Sequence, residues 1–171
     1  MDTEPAKIHS ILLVEDDPRD AELTLTALEE YKLASKVALV RDGAEALDYL
    51  YRRGVYQNRV EGHPIVVLLD LKLPKVNGLE VLKTIKADPI LKIIPVVVLS
   101  SSRETPDLIE SYQHGVNAYV VKPVNFADFM KAIQQLGIFW AAVNEPPPHA
   151  GGAPGHGQAV REVLPGKAVD P

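Results

Sequence analysis

The sequence predicts an α/β domain in which five parallel strands alternate with five helices. Short runs rich in β-branched residues recur along the chain, and the intervals between them are long enough for one helix each. Several of these runs are apolar throughout, which is typical of parallel strands covered by helices on both faces. The predicted strands are residues 8–14, 36–40, 65–70, 95–100 and 118–121.

The first four helices carry start signals. Two begin with a capping residue followed directly by proline, and two with a capping residue followed three positions later by glutamate, the spacing of a capping box or a close relative. The signals are Asp17 with Pro18, Asp42 with Glu45, Asn77 with Glu80, and Thr105 with Pro106. In the fifth helix apolar residues recur at helical spacing, so one stripe should face the sheet. That stripe consists of Phe126, Phe129, Met130, Ile133, Leu136 and Trp140.

The chain length of 171 residues fits one domain followed by a tail. We place the domain at residues 1–144 and a flexible tail at 145–171, because the tail opens on three prolines and continues without hydrophobic periodicity. Residues 52–64 form a long polar connection before the third strand, and we expect its arginines to be solvated.

The amino-acid composition indicates in which compartment the chain acts and which classes of partner are excluded. The chain has no cysteine, which excludes disulfide frameworks and thiolate metal sites and fits the cytoplasm. Its apolar runs fall well short of the about 20 residues that a membrane helix needs. The net charge of -5 and the lack of a basic helix argue against nucleic acid as a partner.

Polar side chains follow four of the predicted strands. Three acids occupy positions 15–17, Asp70 ends the third strand, serines occupy positions 100–102, and Lys122 follows the fifth strand. The carboxyl ends of parallel strands meet at one edge of a sheet, so these groups should lie close together. Adjacent carboxylates repel one another, which predicts that a cation sits among them.

The chemistry of this group points to phosphoryl transfer. Carboxylates from two strands make an oxygen-only site of the kind that Mg²⁺ prefers. The hydroxyl of Ser100 and the ammonium of Lys122 would complete a site for a phosphoryl group. Asp70 would be the nucleophile, since a carboxylate is already ionised at neutral pH and needs no general base. Each residue alone could be an ordinary cap or turn residue, but their joint occurrence at four strand ends favours a functional site.

Four segments resemble a known family, namely ILLVEDD at 11–17, LLDLKLPKVNG at 68–78, VVLSS at 97–101 and AYVVKP at 118–123. Over about residues 7–142 the chain resembles the receiver domain of two-component response regulators, in which Asp70, Pro74 and Gly78 match a D-x-x-x-P-x-x-x-G spacing. The resemblance implies a flavodoxin-like fold with strand order 2-1-3-4-5. It also implies transfer of a phosphoryl group from a histidine kinase to Asp70.

The resemblance assigns a metal site and a phosphoryl acceptor. Asp16 would bind Mg²⁺ directly, Glu15 chiefly through water, and Asp70 and the backbone carbonyl of Lys72 would be further ligands. Glutamate at position 15 departs from the family's commoner aspartate.

The resemblance also assigns a switch. Lys122 would contact the acyl phosphate and Ser100, which stands where threonine is commoner, would hydrogen-bond it. Tyr119 matches the aromatic residue that turns inward behind Ser100. Pro123 matches a position that follows a cis peptide bond in the family.

A narrower resemblance is to the phytochrome-associated single-domain response regulators of bacteria. It rests on the connection at 52–64 and on the apolar end of the last helix at 137–147. It implies a bacteriophytochrome as the kinase and a homodimer through the fourth helix, fifth strand and fifth helix. Ile138 and Phe139 lie off the core-facing stripe, which fits a helix end that is covered by a partner or by the tail.

Three alternatives stay open at this point. A phosphatase of the haloacid-dehalogenase type also uses an aspartyl nucleophile with Mg²⁺, but it requires a second acid where this chain has Lys72. A flavin-binding module would need a glycine-rich and hydroxyl-rich loop after the first strand. A degenerate receiver acting only as a scaffold would not need the full set of phosphorylation residues. We therefore expect a signalling protein rather than an enzyme.

Overall fold

A computed structural model describes residues 11–30, 32, 37–60, 62–123 and 125–145 of the chain. The strands are β1 (Ile11–Val14), β2 (Val37–Val40), β3 (Val66–Asp70), β4 (Val96–Ser100) and β5 (Ala118–Val121). They form one parallel sheet in the order β2-β1-β3-β4-β5. The predicted fold class and strand order are therefore confirmed. Predicted strand residues 8–10 and 36 lie outside the described residues, as do residues 1–10 and 146–171 in general.

Five helices connect and cover the strands. They are α1 (Pro18–Glu29), α2 (Gly43–Tyr51), α3 (Gly78–Ala87), α4 (Thr105–Gln113) and α5 (Phe126–Ile138), and α5 continues as a π-helical turn at Phe139–Val143. Short 3₁₀ turns lie at Gly54–Tyr56 and Leu91–Ile93. In the described part of the chain, no helix is both long enough and apolar enough to cross a membrane.

The sheet is buried on both faces, which explains why its strands are apolar throughout. Leu12 and Val14 pack with α2 and α3 on one face, whereas Ile11 and Leu13 pack with α1 and α5 on the other. Neighbouring strands repeat this alternation, because successive side chains of a strand point to opposite faces. The two resulting cores hold the carboxyl ends of the strands at one edge of the molecule.

Three of the predicted helix starts are confirmed. Asp17, Asp42 and Asn77 each cap a helix by accepting a hydrogen bond from a backbone N–H of its first turn. The fourth is wrong by one residue, since Thr105 is the first residue of α4 rather than its cap. The N-cap residue is Glu104, and its side chain makes no capping hydrogen bond to the first turn.

The predicted stripe of α5 is only partly correct. Phe129 and Ile133 are buried against the sheet, and Met130, Leu136 and Trp140 pack partly against the same core. Phe126 is 57 % exposed, so the stripe begins one turn into the helix.

The connection between α2 and β3 is more ordered than the sequence suggested. The guanidinium of Arg59 lies 4.3 Å from the centre of the Tyr49 ring and donates hydrogen bonds to the carbonyls of Tyr49, Val60 and Gly62. The hydroxyl of Tyr56 donates to Glu45 at 2.5 Å. The expectation of solvated arginines is therefore wrong for Arg59, which acts as a structural crosslink through cation–π and hydrogen-bond contacts.

Candidate metal and phosphoryl site

The ammonium of Lys122 is the centre of the site. It follows β5 directly, and its Nζ lies 2.7 Å from Oε2 of Glu15, 2.8 Å from Oδ2 of Asp20 and 2.9 Å from Oδ2 of Asp70. The Lys122 side chain is 9 % exposed, so its ammonium and the pairs with Glu15 and Asp70 are largely shielded from water, whereas the Asp20 carboxylate is 35 % exposed. The cation that the sequence required among the acids is thus partly supplied by the chain itself.

Three carboxylates lie together beside this ammonium. Glu15, Asp16 and Asp70 each offer one oxygen, and these oxygens lie within 4.8 Å of one another. Glu15 is buried at the end of β1, whereas Asp16 is exposed. An all-oxygen donor set of this kind fits a hard divalent cation that keeps several waters. The structure therefore brings together three of the four residues that were assigned to metal binding from the sequence.

Asp70 is held by both of its oxygens. The backbone N–H of Lys72 donates to Oδ1 at 3.0 Å, while Lys122 donates to Oδ2. The carbonyl of Lys72, the fourth assigned ligand, stays a prediction. Because each oxygen of Asp70 has its own donor, the carboxylate is fixed in orientation at the mouth of the site.

Gly78 explains the last position of the D-x-x-x-P-x-x-x-G spacing. A Cβ at this position would lie 2.2 Å from the carbonyl oxygen of Asp70 and 2.5 Å from Cα of Leu71. The start of α3 therefore packs directly against the backbone that carries Asp70, and only glycine permits this approach. The N–H of Gly78 also donates to the carbonyl of Leu71 at 2.9 Å.

Burial and neighbouring charges shift the pKa values of Glu15 and Lys122. Burial raises the pKa of Glu15 to about 7, with a further contribution from the negative charge of Asp70, although the contacts with Lys122 oppose the shift. Burial alone would lower the pKa of Lys122, but its bonds to Asp20 and Glu15 and the charge of Asp70 raise it well above its usual range. Lys122 is therefore a permanent cation at neutral pH, whereas Glu15 titrates near neutrality.

Ser100 and Tyr119 are linked through Ser102. Ser100 is fully buried at the end of β4, and its Oγ accepts from the N–H of Ser102 at 3.1 Å. The hydroxyl of half-buried Tyr119 donates to the carbonyl of Ser102 at 3.0 Å. The Ser102 hydroxyl in turn donates to Asp107 on α4 at 2.7 Å. Within the described residues Ser100 makes no hydrogen bond with Asp70.

Two residues that contact the site, Asp20 and Ser102, were not predicted from the sequence. Asp20 lies in the first turn of α1, where an acid is ordinarily explained by the helix dipole, and only the reach of Lys122 reveals its second role. Ser102 was noticed as part of a serine run but received no role of its own. Neither carried a sequence signal beyond its closeness to the predicted site.

The peptide bond between Lys122 and Pro123 is trans, since the described residues contain no cis peptide bond. The expectation of a cis bond here, which rested on the family resemblance, is therefore wrong for this structure. The trans isomer is the ordinary state of an X–Pro bond, because it is more stable than the cis isomer by about 0.5–1 kcal/mol.

Comparison with known proteins identifies the class to which this fold and site belong. Residues 11–134 match the response regulator receiver domain, and the chain belongs to that family. This membership decides against the haloacid-dehalogenase alternative. Within the family, close relatives of the chain include phytochrome-associated response regulators of bacteria, as the narrower resemblance implied.

The similarity to individual phytochrome-associated proteins extends over most of the domain. The response regulator Rcp1 of Synechocystis sp. is 41 % identical over 139 residues, which cover 81 % of this chain and 92 % of Rcp1. Its Mn²⁺-bound structure superposes with a TM-score of 0.75 at 40 % identity, covering 81 % of this chain and 98 % of that one.

Two further solved structures similar to this chain are of response regulators named for a phytochrome or a bacteriophytochrome. The phosphorylated cyanobacterial phytochrome response regulator RcpA is 42 % identical with a TM-score of 0.75, covering 81 % of this chain and 97 % of RcpA. The bacteriophytochrome response regulator AtBRR is 66 % identical with a TM-score of 0.63, covering 79 % of this chain and 96 % of AtBRR.

The raised pKa of Glu15 predicts a pH-dependent metal affinity. A metal ligand must be deprotonated, and the pKa of Glu15 is raised to about 7, so protons compete with the metal increasingly as the pH falls through that value. We expect the affinity for Mg²⁺ to fall about tenfold between about pH 8 and about pH 6, measured by isothermal titration calorimetry. Glu15→Gln should flatten this dependence, and a flat profile in the unaltered chain would contradict the assignment.

Proposed function

We propose that the chain is a single-domain response regulator that accepts a phosphoryl group on Asp70 from a sensor histidine kinase, in a Mg²⁺-dependent reaction. The observation that carries this proposal is the joint position of the Asp70 carboxylate, a buried lysine ammonium 2.9 Å away, and two further acids at the same edge of the sheet. Family membership supports the reaction class.

The transfer step uses the carboxylate of Asp70 as a nucleophile. One of its oxygens attacks the phosphorus of the kinase phosphohistidine, the P–N bond breaks, and the electron pair of that bond returns to the imidazole ring. The product on Asp70 is an acyl phosphate, and a carboxylate nucleophile needs no general base. The N–H of Lys72 and the ammonium of Lys122 hold the carboxylate in position before attack.

A divalent cation completes the site. The carboxylates of Asp16, Glu15 and Asp70 and the carbonyl of Lys72 would hold Mg²⁺, with Asp16 binding directly and Glu15 chiefly through water. When bound, the ion supplies positive charge for the oxygens of the transferring phosphoryl group. The Mn²⁺-bound structure of Rcp1 supports a divalent metal in a similar protein.

The phosphoryl group acts as a switch through Ser100, Lys122 and Tyr119. The Oγ of Ser100 already accepts a bond from Ser102, so its one hydroxyl proton is available to a phosphoryl oxygen. Tyr119 shares Ser102 as a partner, and Ser102 is bonded to Asp107 on α4. New contacts of Ser100 and Lys122 with the phosphoryl group therefore favour a different arrangement of α4 and β5.

The signal leaves the domain by protein contact or by relay of the phosphoryl group. A homodimer through α4, β5 and α5 is part of the proposed function, because this face carries exposed apolar side chains. They are Leu108, Ile109 and Tyr112 on α4 and Phe139 and Val143 beyond α5. The relation to AtBRR and RcpA supports a bacteriophytochrome as the kinase.

The protein acts in the cytoplasm, without nucleic acid or membrane as a partner. The net charge of -5 supports the exclusion of nucleic acid. The proposal keeps the receiver domain at residues 1–144 and a tail at 145–171, although residues 1–10 and 146–171 lie outside the described residues. The domain signals rather than turning over a substrate.

Replacing the acceptor should abolish labelling. Asp70→Asn keeps the size of the side chain but removes the anionic nucleophile, so we expect no phosphorylation from acetyl phosphate with Mg²⁺, measured by intact-protein mass spectrometry. Asp128→Asn, an exposed site on α5, serves as the matched control and should be labelled normally. Undiminished labelling of Asp70→Asn would refute Asp70 as the acceptor.

Removing the Lys122 ammonium should leave phosphorylation of Asp70 in place but weaken the conformational response of α4. Lys122→Ala leaves Asp70 in place, so with saturating Mg²⁺ to offset the lost charge we expect labelling to persist. The amide shifts of α4 on phosphorylation, followed by NMR, should shrink because the phosphoryl group loses a contact that distinguishes the two states. Lys131→Ala, an exposed site on α5, is the control. A full α4 response in Lys122→Ala would remove this role.

A further inference from the structure

All three N–H donors of the Lys122 ammonium are in use. An ammonium has three donors and no acceptor, and here they go to Glu15, Asp20 and Asp70. A phosphoryl oxygen that binds Lys122 must therefore displace one of these partners or share its donor. The strength of the displaced ion pair determines how strongly the unphosphorylated site competes with the phosphoryl group for the Lys122 ammonium.

Burial identifies the partner that can be released at the lowest cost. The side chain of Glu15 is 2 % exposed and that of Asp70 is 11 % exposed, whereas that of Asp20 is 35 % exposed. Loss of the ammonium from a buried carboxylate leaves a charge that water cannot reach, which is expensive. Water already reaches the Asp20 carboxylate, so it can replace the ammonium there at a lower cost than at Glu15 or Asp70.

The position of Asp20 also fits an exchangeable contact. Its backbone N–H is fixed by the cap, donating to Oδ1 of Asp17 at 3.1 Å, so the start of α1 does not depend on the ion pair. Among the described residues, Lys122 is the hydrogen-bond partner of the Asp20 carboxylate. The carboxylate can therefore turn to solvent while the helix stays in place.

We propose that Asp20 is a positioning residue that holds Lys122 before phosphorylation and releases it to the phosphoryl group afterwards. This role rests on the proposed function. Asp20 competes with the phosphoryl oxygens for the same donor, so its charge weakens the phosphorylated state relative to the free one. The acid thereby tunes how readily the domain switches.

Beryllofluoride, a non-covalent mimic of the phosphoryl group, tests this competition with the full chain at saturating Mg²⁺. We expect Asp20→Asn to bind beryllofluoride about two- to fivefold more tightly than the unaltered chain, which corresponds to the usual strength of a partly exposed ion pair. Asp20→Glu, which keeps the carboxylate, should return the affinity toward that of the unaltered chain. Glu22→Gln removes an exposed charge from the same helix and should leave the affinity unchanged.

The Lys122→Ala variant distinguishes an effect of the Asp20–Lys122 ion pair from a general effect of the substitution on α1. In Lys122→Ala the donor is absent, so adding Asp20→Asn should have no effect on the affinity. Equal or weaker binding by Asp20→Asn in the unaltered background overturns the role of Asp20 and leaves the proposed function standing. If the unaltered chain binds no beryllofluoride, the proposed function fails, and the role of Asp20 fails with it.

Discussion

The buried ammonium of Lys122 is the interaction on which the site depends. Glu15 directly follows β1, Asp20 lies in α1 and Asp70 ends β3, and one cation directly after β5 holds all three at 2.7–2.9 Å. Without it, buried like charges would repel one another at the edge of the sheet. In the proposed function a phosphoryl group on Asp70 would bind the same ammonium, so the contact that stabilises the resting site is also the one that phosphorylation would rearrange.

The fold places this interaction by simple means. A parallel sheet with both faces covered brings its strand ends to one edge, and polar residues there do not disturb the two cores. The close approach of Gly78 to the backbone of Asp70 fixes the acceptor against α3. Hydrogen bonds among Ser100, Ser102 and Tyr119 then connect the same edge to Asp107 on α4, so a new contact at Ser100 would reach an exposed helix through few bonds.

Sequence patterns predicted most of this arrangement but not its finer contacts. The strands were recognisable because burial on both faces requires continuous apolar runs. Asp70 and Lys122 were recognisable because Asp70 ends one of these runs and Lys122 directly follows another. Asp20 and Arg59 were not, since their partners are set by how long side chains cross from one element to another. Thr105 was misplaced as a cap because α4 begins one residue earlier than the pattern indicates, after Glu104, which makes no side-chain capping bond that a sequence pattern could reveal.

The central claim is that Asp70, surrounded by cations, is the residue that forms an acyl phosphate. Chemical trapping of the phosphorylated residue tests this claim most directly. Borohydride reduces an aspartyl phosphate to homoserine, and peptide mass spectrometry then locates the altered position in the chain. The account predicts homoserine at position 70 in the kinase-labelled or acetyl-phosphate-labelled protein. Homoserine at position 16, 17 or 20 instead, or a labelled chain without homoserine, would contradict it.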